Sequence, residues 1–385
     1  MNNYDLLFPH EKEKIDIQTF IERIENNHIV VLKGRKRSVC VGEELSLKVN
    51  SAIGANDFSN YSREMQKVSI IATHNNTPDM MMDLSTVPLK TPLYTKIISE
   101  LGCPVGVIPY YTCFHPDTGI DKQELLYTIE KQAEIGVSFM TLHFTARYDL
   151  VKLSAGRNIP VISRGGNILI RDMIINHRTQ NILFEIFDEI IDVCKRHDIV
   201  ISVGATFRPS SQFDAMDTLH IAEIELQHRI INTLKEKGIR VLQEGVGHIP
   251  LHEIDNYVGL LRKDTYTPFM PLGPIVSDRT QGLDHICSSI GASYMALLGG
   301  ADIINAVTRN EHTGGIPPIS SIIEAIDAAR TVVKIIDDSR YFSFFNKKSV
   351  DRISNCIGVA NQAGCDRCGE ECPFILNEKI KSYAN

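Results

Sequence analysis

The 385-residue chain lacks three features that would place it in a well-defined class of proteins. It has no surplus of positive charge, since 40 Lys and Arg against 47 Asp and Glu give a net charge of −7, so nothing indicates a nucleic-acid-binding surface. No run approaches the roughly 18 apolar residues of a membrane span, and the opening Met-Asn-Asn-Tyr-Asp is not an apolar leader, so we expect neither a membrane segment nor a secretion signal. No Gly-x-Gly-x-x-Gly turn follows an early strand, which argues against a dinucleotide-binding fold.

Cysteine occurs nine times, an odd number. Three cysteines, Cys365, Cys368 and Cys372, lie within eight residues of each other. Three thiolates on one short loop suit an iron–sulfur cluster with one open iron, or a zinc knuckle that takes its fourth ligand from elsewhere, and spacing alone does not choose between them. The other six occur singly, which is typical of a protein from a reducing cytoplasm: Cys40, Cys103, Cys113, Cys194, Cys287 and Cys356.

Short apolar strands alternate with amphipathic helices along most of the chain. This alternation indicates a parallel sheet covered on both faces, and the number of units favours a closed (β/α)8 barrel. One of the nine predicted strands must then be wrong or lie outside the barrel: Leu47–Asn50, Asp79–Leu84, Val105–Tyr110, Ser138–Phe144, Pro160–Ser163, Ile199–Gly204, Arg240–Glu244, Phe269–Leu272 and Ala301–Val307. The predicted helices include Lys122–Ile135, Asn181–Arg196, Met216–Lys237 and His285–Leu298.

The chain is predicted to have three parts. Residues 1–45 form a small N-terminal cap, residues 46–334 form the barrel, and residues 335–385 form a helical C-terminal tail that carries the clustered cysteines. In such barrels the functional groups lie at the C-terminal ends of the strands and in the loops that follow them.

A phosphate site is predicted after one of these strands, where the sequence reads Ser163-Arg164-Gly165-Gly166. A hydroxyl, a guanidinium fork and close-approach backbone N–H groups together suit a phosphate oxygen. Arg208, after a later strand, supplies a second cation. The alternative is a tight turn beside an ordinary surface arginine, and two arginines at strand ends favour phosphate binding.

Two histidines are candidate metal ligands. His248 and His312 are 64 residues apart, each in a loop after a late strand, and Glu244 precedes His248 by four residues. Neutral imidazoles at a barrel mouth commonly bind zinc or a similar divalent ion. Two polar histidines that only cap loops are the structural alternative, and the residues by themselves leave both open.

The motifs in order resemble the phosphomethylpyrimidine synthase family over about residues 45–375. Each motif is weak alone, but the ordered set is specific: Lys-Val-Asn-x-x-Ile-Gly, Met-Asp-Leu-Ser-Thr, Ser-Arg-Gly-Gly, Arg-Pro, Glu-Gly-x-Gly-His-x-Pro, Leu-Gly-Pro, Asp-His-Ile, Glu-His and a terminal cysteine cluster. The resemblance implies a (β/α)8 barrel, a cytoplasmic homodimer whose tail reaches the partner's active site, and an electron donor such as flavodoxin or ferredoxin.

The resemblance also implies a radical reaction. A [4Fe–4S] cluster cleaves S-adenosylmethionine reductively, and the resulting radical rearranges aminoimidazole ribotide to hydroxymethylpyrimidine phosphate for thiamine biosynthesis, which makes the enzyme a carbon–carbon lyase. The barrel orients the substrate and shields the radical. Carried over by position, Cys365, Cys368 and Cys372 match the cluster ligands, and His248 and His312 match the ligands of a divalent metal, zinc by expectation. The matched substrate contacts are Met82, Tyr111, His143, Ser163, Arg164, Gly165, Arg208 and Glu244, the last of which we also expect to be catalytic.

The sequence departs from the family pattern at several positions. Ala52 replaces an asparagine, Ala205 an acid and Met270 a tyrosine, and the second gap between the cysteines is one residue shorter. Lost polar contacts of about 1–3 kcal/mol each can change a substrate. Three functions therefore stay open: the pyrimidine synthase itself, a paralogue that uses the same radical chemistry for another product such as 5-hydroxybenzimidazole, and a non-catalytic regulatory protein that binds a cluster.

Overall fold

The computed structural model describes residues 3–263, 266–344, 380, 382 and 383, and the cysteines Cys365, Cys368 and Cys372 lie outside these residues. Short strands and longer helices alternate along the described chain. The strands are β1 (Ile29–Leu32), β2 (Val39–Gly42), β3 (Lys48–Ile53), β4 (Met80–Asp83), β5 (Val105–Val107), β6 (Phe114–His115), β7 (Gly119–Ile120), β8 (Phe139–Leu142), β9 (Val200–Val203), β10 (Val241–His248), β11 (Phe269–Ile275) and β12 (Ile303–Asn305).

The helices begin and end at local signals in the sequence. Before the fifth helix, for example, the Asp121 carboxylate accepts the N–H groups of Gln123 and Glu124, and Gly136 ends the helix at a φ of 101° that favours glycine. The helices are α1 (Pro9–Lys12), α2 (Ile17–Glu25), α3 (Tyr61–Thr73), α4 (Leu93–Glu100), α5 (Lys122–Ile135), α6 (Tyr148–Ser154), α7 (Arg164–Ile175), α8 (Ile182–Glu185), α9 (Phe187–His197), α10 (Thr218–Glu236), α11 (Ile254–Leu261), α12 (Asp284–Leu297) and α13 (Ile319–Arg340).

Eight parallel strands form the central sheet and confirm the predicted (β/α)8 barrel. Their spatial order is β11-β10-β9-β8-β5-β4-β3-β12, so neighbours from β3 to β11 follow in chain order once the short β6–β7 ribbon is set aside, and the last strand, β12, pairs with the first, β3. The two end strands also meet: the Asp302 N–H donates to the Phe269 carbonyl at 2.9 Å, and the Asn305 side-chain amide donates to the Pro271 carbonyl at 2.7 Å. The C-terminal ends of all eight strands therefore surround one mouth.

One of the nine predicted strands is wrong. Pro160–Ser163 is a loop that leads into α7, where the Ser163 hydroxyl accepts the Gly166 N–H as the N-cap. The apolar residues Val161 and Ile162 are flanked by a proline and a serine, and both of these flanking residues suit a helix start as well as a strand end. The predicted helix Asn181–Arg196 is divided into α8 and α9 at Ile186, whose φ of −120° and ψ of 28° interrupt the helix.

The N-terminal residues contain an antiparallel hairpin, β1–β2, with two apolar faces. Ile29, Val31 and Cys40 pack with Leu7, Ile15, Phe20 and Leu45 in a small core. The alternate residues Val30, Leu32, Val39 and Val41 join the large core around the barrel, as the two-residue period of a strand requires. By its internal contacts the chain divides into residues 1–337 and residues 338–385. The predicted boundary at residue 45 stays a prediction.

Two further findings concern membrane-spanning helices and the state of the cysteines. Within residues 3–263 and 266–344, no helix has the length and apolarity needed to cross a bilayer. The cysteines in this part of the chain are buried free thiols: Cys40, Cys103, Cys113, Cys194 and Cys287. Burial raises the pKa of the Cys40 thiol to about 12, so it behaves as an apolar side chain.

Candidate active site at the barrel mouth

A cavity of about 410 Å³ opens at the C-terminal ends of β3, β4, β10, β11 and β12. Four of the predicted site residues line it: Met82, Arg208, His248 and His312. The other lining residues lie in the barrel strands, in the segments that follow them and, for Ile162, in the loop before α7: Asn50, Ser51, Ala52, Leu84, Ile162, Pro209, Gly247, Leu272, Gly273, Ile275, Asn305, Ala306, Val307 and Glu311. The structure therefore brings substrate and metal candidates into one space.

The two histidines face each other across the cavity wall. Their Nε2 atoms are 3.1 Å apart, and the rings are inclined by 64°. On the far side of each ring, His248 Nδ1 contacts Asp278 Oδ1 at 2.7 Å and His312 Nδ1 contacts Asp284 Oδ1 at 2.8 Å. Burial lowers the pKa of His248, the hydrogen bond that its Nδ1 makes to the Asp278 carboxylate opposes this shift, and the charge of His312 adds to it.

A backbone irregularity aims His248 into the mouth. The pairing of β10 with β11 slips between Val246 and His248, which marks a β-bulge. Gly247 has a φ of 100°, and a Cβ there would lie 2.6 Å from the Pro209 carbonyl oxygen. Val246 has a φ of 74°, which a β-branched residue rarely adopts. Such strain, of order 1–3 kcal/mol, persists where surrounding structure enforces it, typically at functional sites.

The histidine pair fits a divalent metal. A tetrahedral ion bound at about 2.0–2.1 Å holds two nitrogen ligands roughly 3.3 Å apart, close to the observed separation. The buried Asp284 Oδ2 has no hydrogen-bond partner in the described part of the chain, so this carboxyl group relies on the contact of its Oδ1 with His312. Among the described residues no group of three or more His, Cys, Asp or Glu side chains is placed to hold a metal. The described chain therefore offers two ligands and leaves other positions to water or substrate.

Glu244 lies within the barrel wall and is nearly fully buried. Its Oε1 accepts hydrogen bonds from Thr141 at 2.7 Å and from Ser202 at 2.6 Å. Burial raises the pKa of Glu244, while these two hydroxyls and the charge of Arg208 act in the opposite direction. A buried carboxyl group with a raised pKa holds its proton more readily than an exposed one, which suits the predicted catalytic role.

His143 is held beside a buried phenol. Its Nδ1 lies 2.6 Å from the Tyr110 hydroxyl, and burial together with the charge of Arg208 lowers the pKa of His143 to about 3. The ring fills space that two glycines leave free, because a Cβ on Gly165 or Gly204 would lie 2.5 Å or 2.8 Å from its Cε1 atom. His143 is therefore a neutral side chain in a fixed orientation.

Ser163 and Arg164 of the predicted phosphate motif lie in different surroundings. Ser163 is buried, and its hydroxyl caps α7 by accepting the Gly166 N–H at 3.2 Å, so its oxygen is already engaged. Arg164 is exposed, with its guanidinium 5.8 Å from the centroid of the Tyr111 ring. Burial raises the pKa of Tyr111 to about 12 against the opposing charges of Arg164 and Arg208. Arg208 also donates to the Ala205 carbonyl at 3.4 Å.

A buried carboxylate that sequence reasoning missed holds the loop before Arg208. Glu223, on α10, accepts the Thr206 N–H at 2.6 Å and the Phe207 N–H at 3.0 and 2.9 Å. It also accepts the Thr145 hydroxyl at 2.6 Å. Burial raises the pKa of Glu223, and all of these hydrogen bonds oppose the shift. Glu223 thus fixes the strand end from which Arg208 reaches the cavity.

The three departures from the family pattern occupy different surroundings. Ala52 lines the cavity and is the register partner of Met82 in the β3–β4 pair. Met270 is fully buried within the large hydrophobic core, and Ala205 is also buried. Only Ala52 among the three is a cavity-lining residue in the described chain.

Several residues around the site had a sequence signal that was not used. Thr141 and Ser202 are register partners in β8 and β9, where a hydroxyl interrupts an otherwise apolar strand. A polar residue in such a strand is a sign of a buried hydrogen bond. Asp284 begins the Asp-His-Ile motif but had no assigned role. Asp278 has no comparable signal, because only the fold brings it to His248.

Comparison with known proteins identifies relatives along nearly the whole chain. The model of the Radical SAM ThiC family matches residues 6–356. A phosphomethylpyrimidine synthase from Methanocaldococcus jannaschii is 29% identical over 96% of this chain and 95% of that protein. One from Sulfurisphaera tokodaii is 35% identical over 94% of this chain and 92% of that protein, and one from Ignicoccus hospitalis is 31% identical over 96% and 92%.

Solved structures with a similar fold include dihydropteroate synthases. The Xanthomonas albilineans protein has a TM-score of 0.45 at 10% identity, covering 78% of this chain and 97% of that one. The Vibrio fischeri protein has a TM-score of 0.44 at 8% identity, covering 80% and 98%.

Proposed function

Because the chain belongs to the radical SAM ThiC family, we propose that it is a radical S-adenosylmethionine lyase that rearranges aminoimidazole ribotide to hydroxymethylpyrimidine phosphate. One observation carries this proposal: a single cavity at the barrel mouth joins the facing pair His248 and His312 to the cation of Arg208. A phosphorylated small molecule bound there would present its anion to the arginine and another part of itself to the metal-binding pair.

Four of the predicted residues have surroundings that suit a role in this reaction. Arg208 has no carboxylate partner within residues 3–263 and 266–344, so its charge is available to a phosphate. Met82 supplies an apolar wall of the cavity. Glu244, buried in the barrel wall, would hold or release a proton, and the neutral His143 would offer one ring nitrogen to the substrate in a fixed orientation.

Two groups would complete the active site. When bound by Cys365, Cys368 and Cys372, a [4Fe–4S] cluster supplies the electron for reductive cleavage of S-adenosylmethionine, after reduction by a carrier such as flavodoxin or ferredoxin. His248 and His312 would hold the divalent metal, for which zinc fits both ligand type and spacing. The buried free thiols support a reducing cytoplasm as the site of action.

A homodimer is supported by an exposed apolar stripe on α12. Five side chains at intervals of three, four, four and three residues are each between 37 and 60% exposed: Leu283, Ile286, Ile290, Tyr294 and Leu297. The opposite face of the helix is buried, including Cys287, Gly291 and Ala292. A helix that is apolar on both faces lies between two packed surfaces, so we propose that a second copy covers the stripe.

A second product class is favoured by Ala52. The family pattern has an asparagine at this cavity-lining position, and its loss removes an amide from the wall beside Met82. A substrate group that needs this amide would be left without a partner, at about 1–3 kcal/mol. The same radical chemistry on a related substrate, or to a product such as 5-hydroxybenzimidazole, is therefore the alternative.

The deciding experiment is anaerobic turnover with the cluster reconstituted. With reductant, S-adenosylmethionine and aminoimidazole ribotide, we expect 5′-deoxyadenosine and hydroxymethylpyrimidine phosphate by mass spectrometry. 5′-Deoxyadenosine with a different second product would select the paralogue. An intact cluster by EPR without any 5′-deoxyadenosine would refute both enzymatic functions and leave the regulatory cluster-binding protein.

A further inference from the structure

Each histidine of the facing pair has a carboxylate on its outer nitrogen. Asp278 Oδ1 lies 2.7 Å from His248 Nδ1, and Asp284 Oδ1 lies 2.8 Å from His312 Nδ1. An ionised carboxylate only accepts hydrogen bonds, so it favours a proton on the Nδ1 atom it touches. In a neutral ring this leaves the lone pair on Nε2, and the two Nε2 atoms are the ones that face each other at 3.1 Å.

The two aspartates are themselves held in place, but differently. Asp278 lies in the loop after β11, where its Oδ2 accepts the Gln212 N–H at 2.9 Å and its own N–H donates to Gln212 Oε1 at 3.1 Å. Asp284 is the first residue of α12 and is 2% exposed. Its Oδ2 is buried without a hydrogen-bond partner in the described chain. The carboxylate of Asp284 therefore relies on its contact with His312, whereas the Asp278 side chain is 33% exposed.

We propose that Asp278 and Asp284 are positioning residues that fix the Nδ1–H tautomer of His248 and His312, so that both Nε2 lone pairs converge on one divalent cation. Carboxylates that hold metal-binding histidines in this way raise the basicity of the ligand and typically change metal affinity 10–100-fold when removed. The buried Asp284 has the larger effect, since water cannot replace it and its negative charge is poorly screened. This inference rests on the proposed metal role of the two histidines.

The test measures zinc binding and not turnover. Full-length protein with its cluster reconstituted, so that the cysteines do not compete, is freed of other metal and titrated with Zn²⁺ against a chromophoric chelator. We expect Asp284→Asn to weaken Zn²⁺ binding 10–100-fold and Asp278→Asn to weaken it less. Asp255→Asn, an exposed aspartate on α11, is the matched control and keeps the wild-type affinity.

Two further readouts separate positioning from folding and from failure of the metal assignment. The Co²⁺ spectrum of Asp278→Asn, the partly exposed and less disruptive change, reports altered coordination while far-UV circular dichroism stays unchanged. His248→Ala and His312→Ala must abolish the same Zn²⁺ site, and if they do not, the metal role itself is wrong. If the histidine variants lose Zn²⁺ but both aspartate variants bind it within twofold of wild type, the positioning role is overturned and the proposed function stands.

Discussion

Removing the Glu223 carboxylate should loosen the loop that carries Arg208. In Glu223→Ala the buried Phe207 N–H loses its acceptor, while the Thr206 N–H keeps only its 3.3 Å contact with Thr145 Oγ1. An unsatisfied buried donor costs about 1–3 kcal/mol, so we expect a loss of roughly 1–3 kcal/mol in the free energy of unfolding from Phe207 and a smaller further loss from Thr206. Glu223→Gln keeps one acceptor oxygen and replaces the other by an NH2 group, so it should cost less, about 1 kcal/mol.

Urea unfolding followed by far-UV circular dichroism measures this difference, since the chain has no tryptophan. Glu225→Ala and Glu225→Gln are the controls, because Glu225 lies two residues away on α10 and is exposed; both should stay within about 0.5 kcal/mol of wild type. The Glu223 variants should also bind phosphorylated substrate more weakly through the displaced Arg208. A Glu223→Ala protein as stable as its Glu225→Ala control would refute this account of the loop.

Three other changes test the remaining features of the fold. Gly165→Ala should destabilise the protein by about 1–3 kcal/mol and displace His143, whereas Gly156→Ala, where a Cβ meets nothing within 4 Å, should unfold at the wild-type urea concentration. Glu244→Gln should gain stability relative to wild type as pH rises above about 4.3. Burial raises the folded-state pKa of Glu244, so this carboxyl group ionises first in the unfolded state and the wild type loses stability as pH rises. A stability difference that stays constant with pH in urea titrations would contradict this. Ile290→Glu on the α12 stripe should shift the molar mass in light scattering from dimer to monomer, and an unchanged mass would move the interface elsewhere.

The barrel could be predicted from the sequence because its signals are local. The predicted helix Lys122–Ile135 coincides with α5, since a capping aspartate, an apolar period and a terminal glycine all lie within the segment itself. The predicted strand Pro160–Ser163 is wrong because its local signals are ambiguous. Four residues with two apolar members look alike as a strand and as a loop, and only the capping bond from Gly166 to Ser163 decides between them.

The candidate site could be predicted only in part, because its contacts join distant parts of the chain. Met82, Arg208, His248 and His312 line one cavity, as their strand-end positions suggest. No spacing in the sequence indicates that Asp278 touches His248 or that Glu223 supports the segment before Arg208. Ser163 of the Ser-Arg-Gly-Gly motif has a role that was not predicted, because its hydroxyl caps the N-terminus of α7. The proposed anion site therefore depends on the cation of Arg208 and not on this hydroxyl.

The places where local rules are broken lie together at one end of the barrel. Several non-glycine residues of the described chain have a positive φ, and among them Val246 is the one with a β-branched side chain. It lies between the buried Glu244 and His248. Glu223 on α10 and Glu244 within β10 are carboxyl groups removed from water, each held by hydroxyls or backbone N–H groups. Each feature is unfavourable by itself, by strain or by desolvation. Because the surrounding apolar clusters fix their positions, the strained bulge and the buried carboxyl groups can persist at this end of the barrel, and such departures from local preference are typical of functional sites.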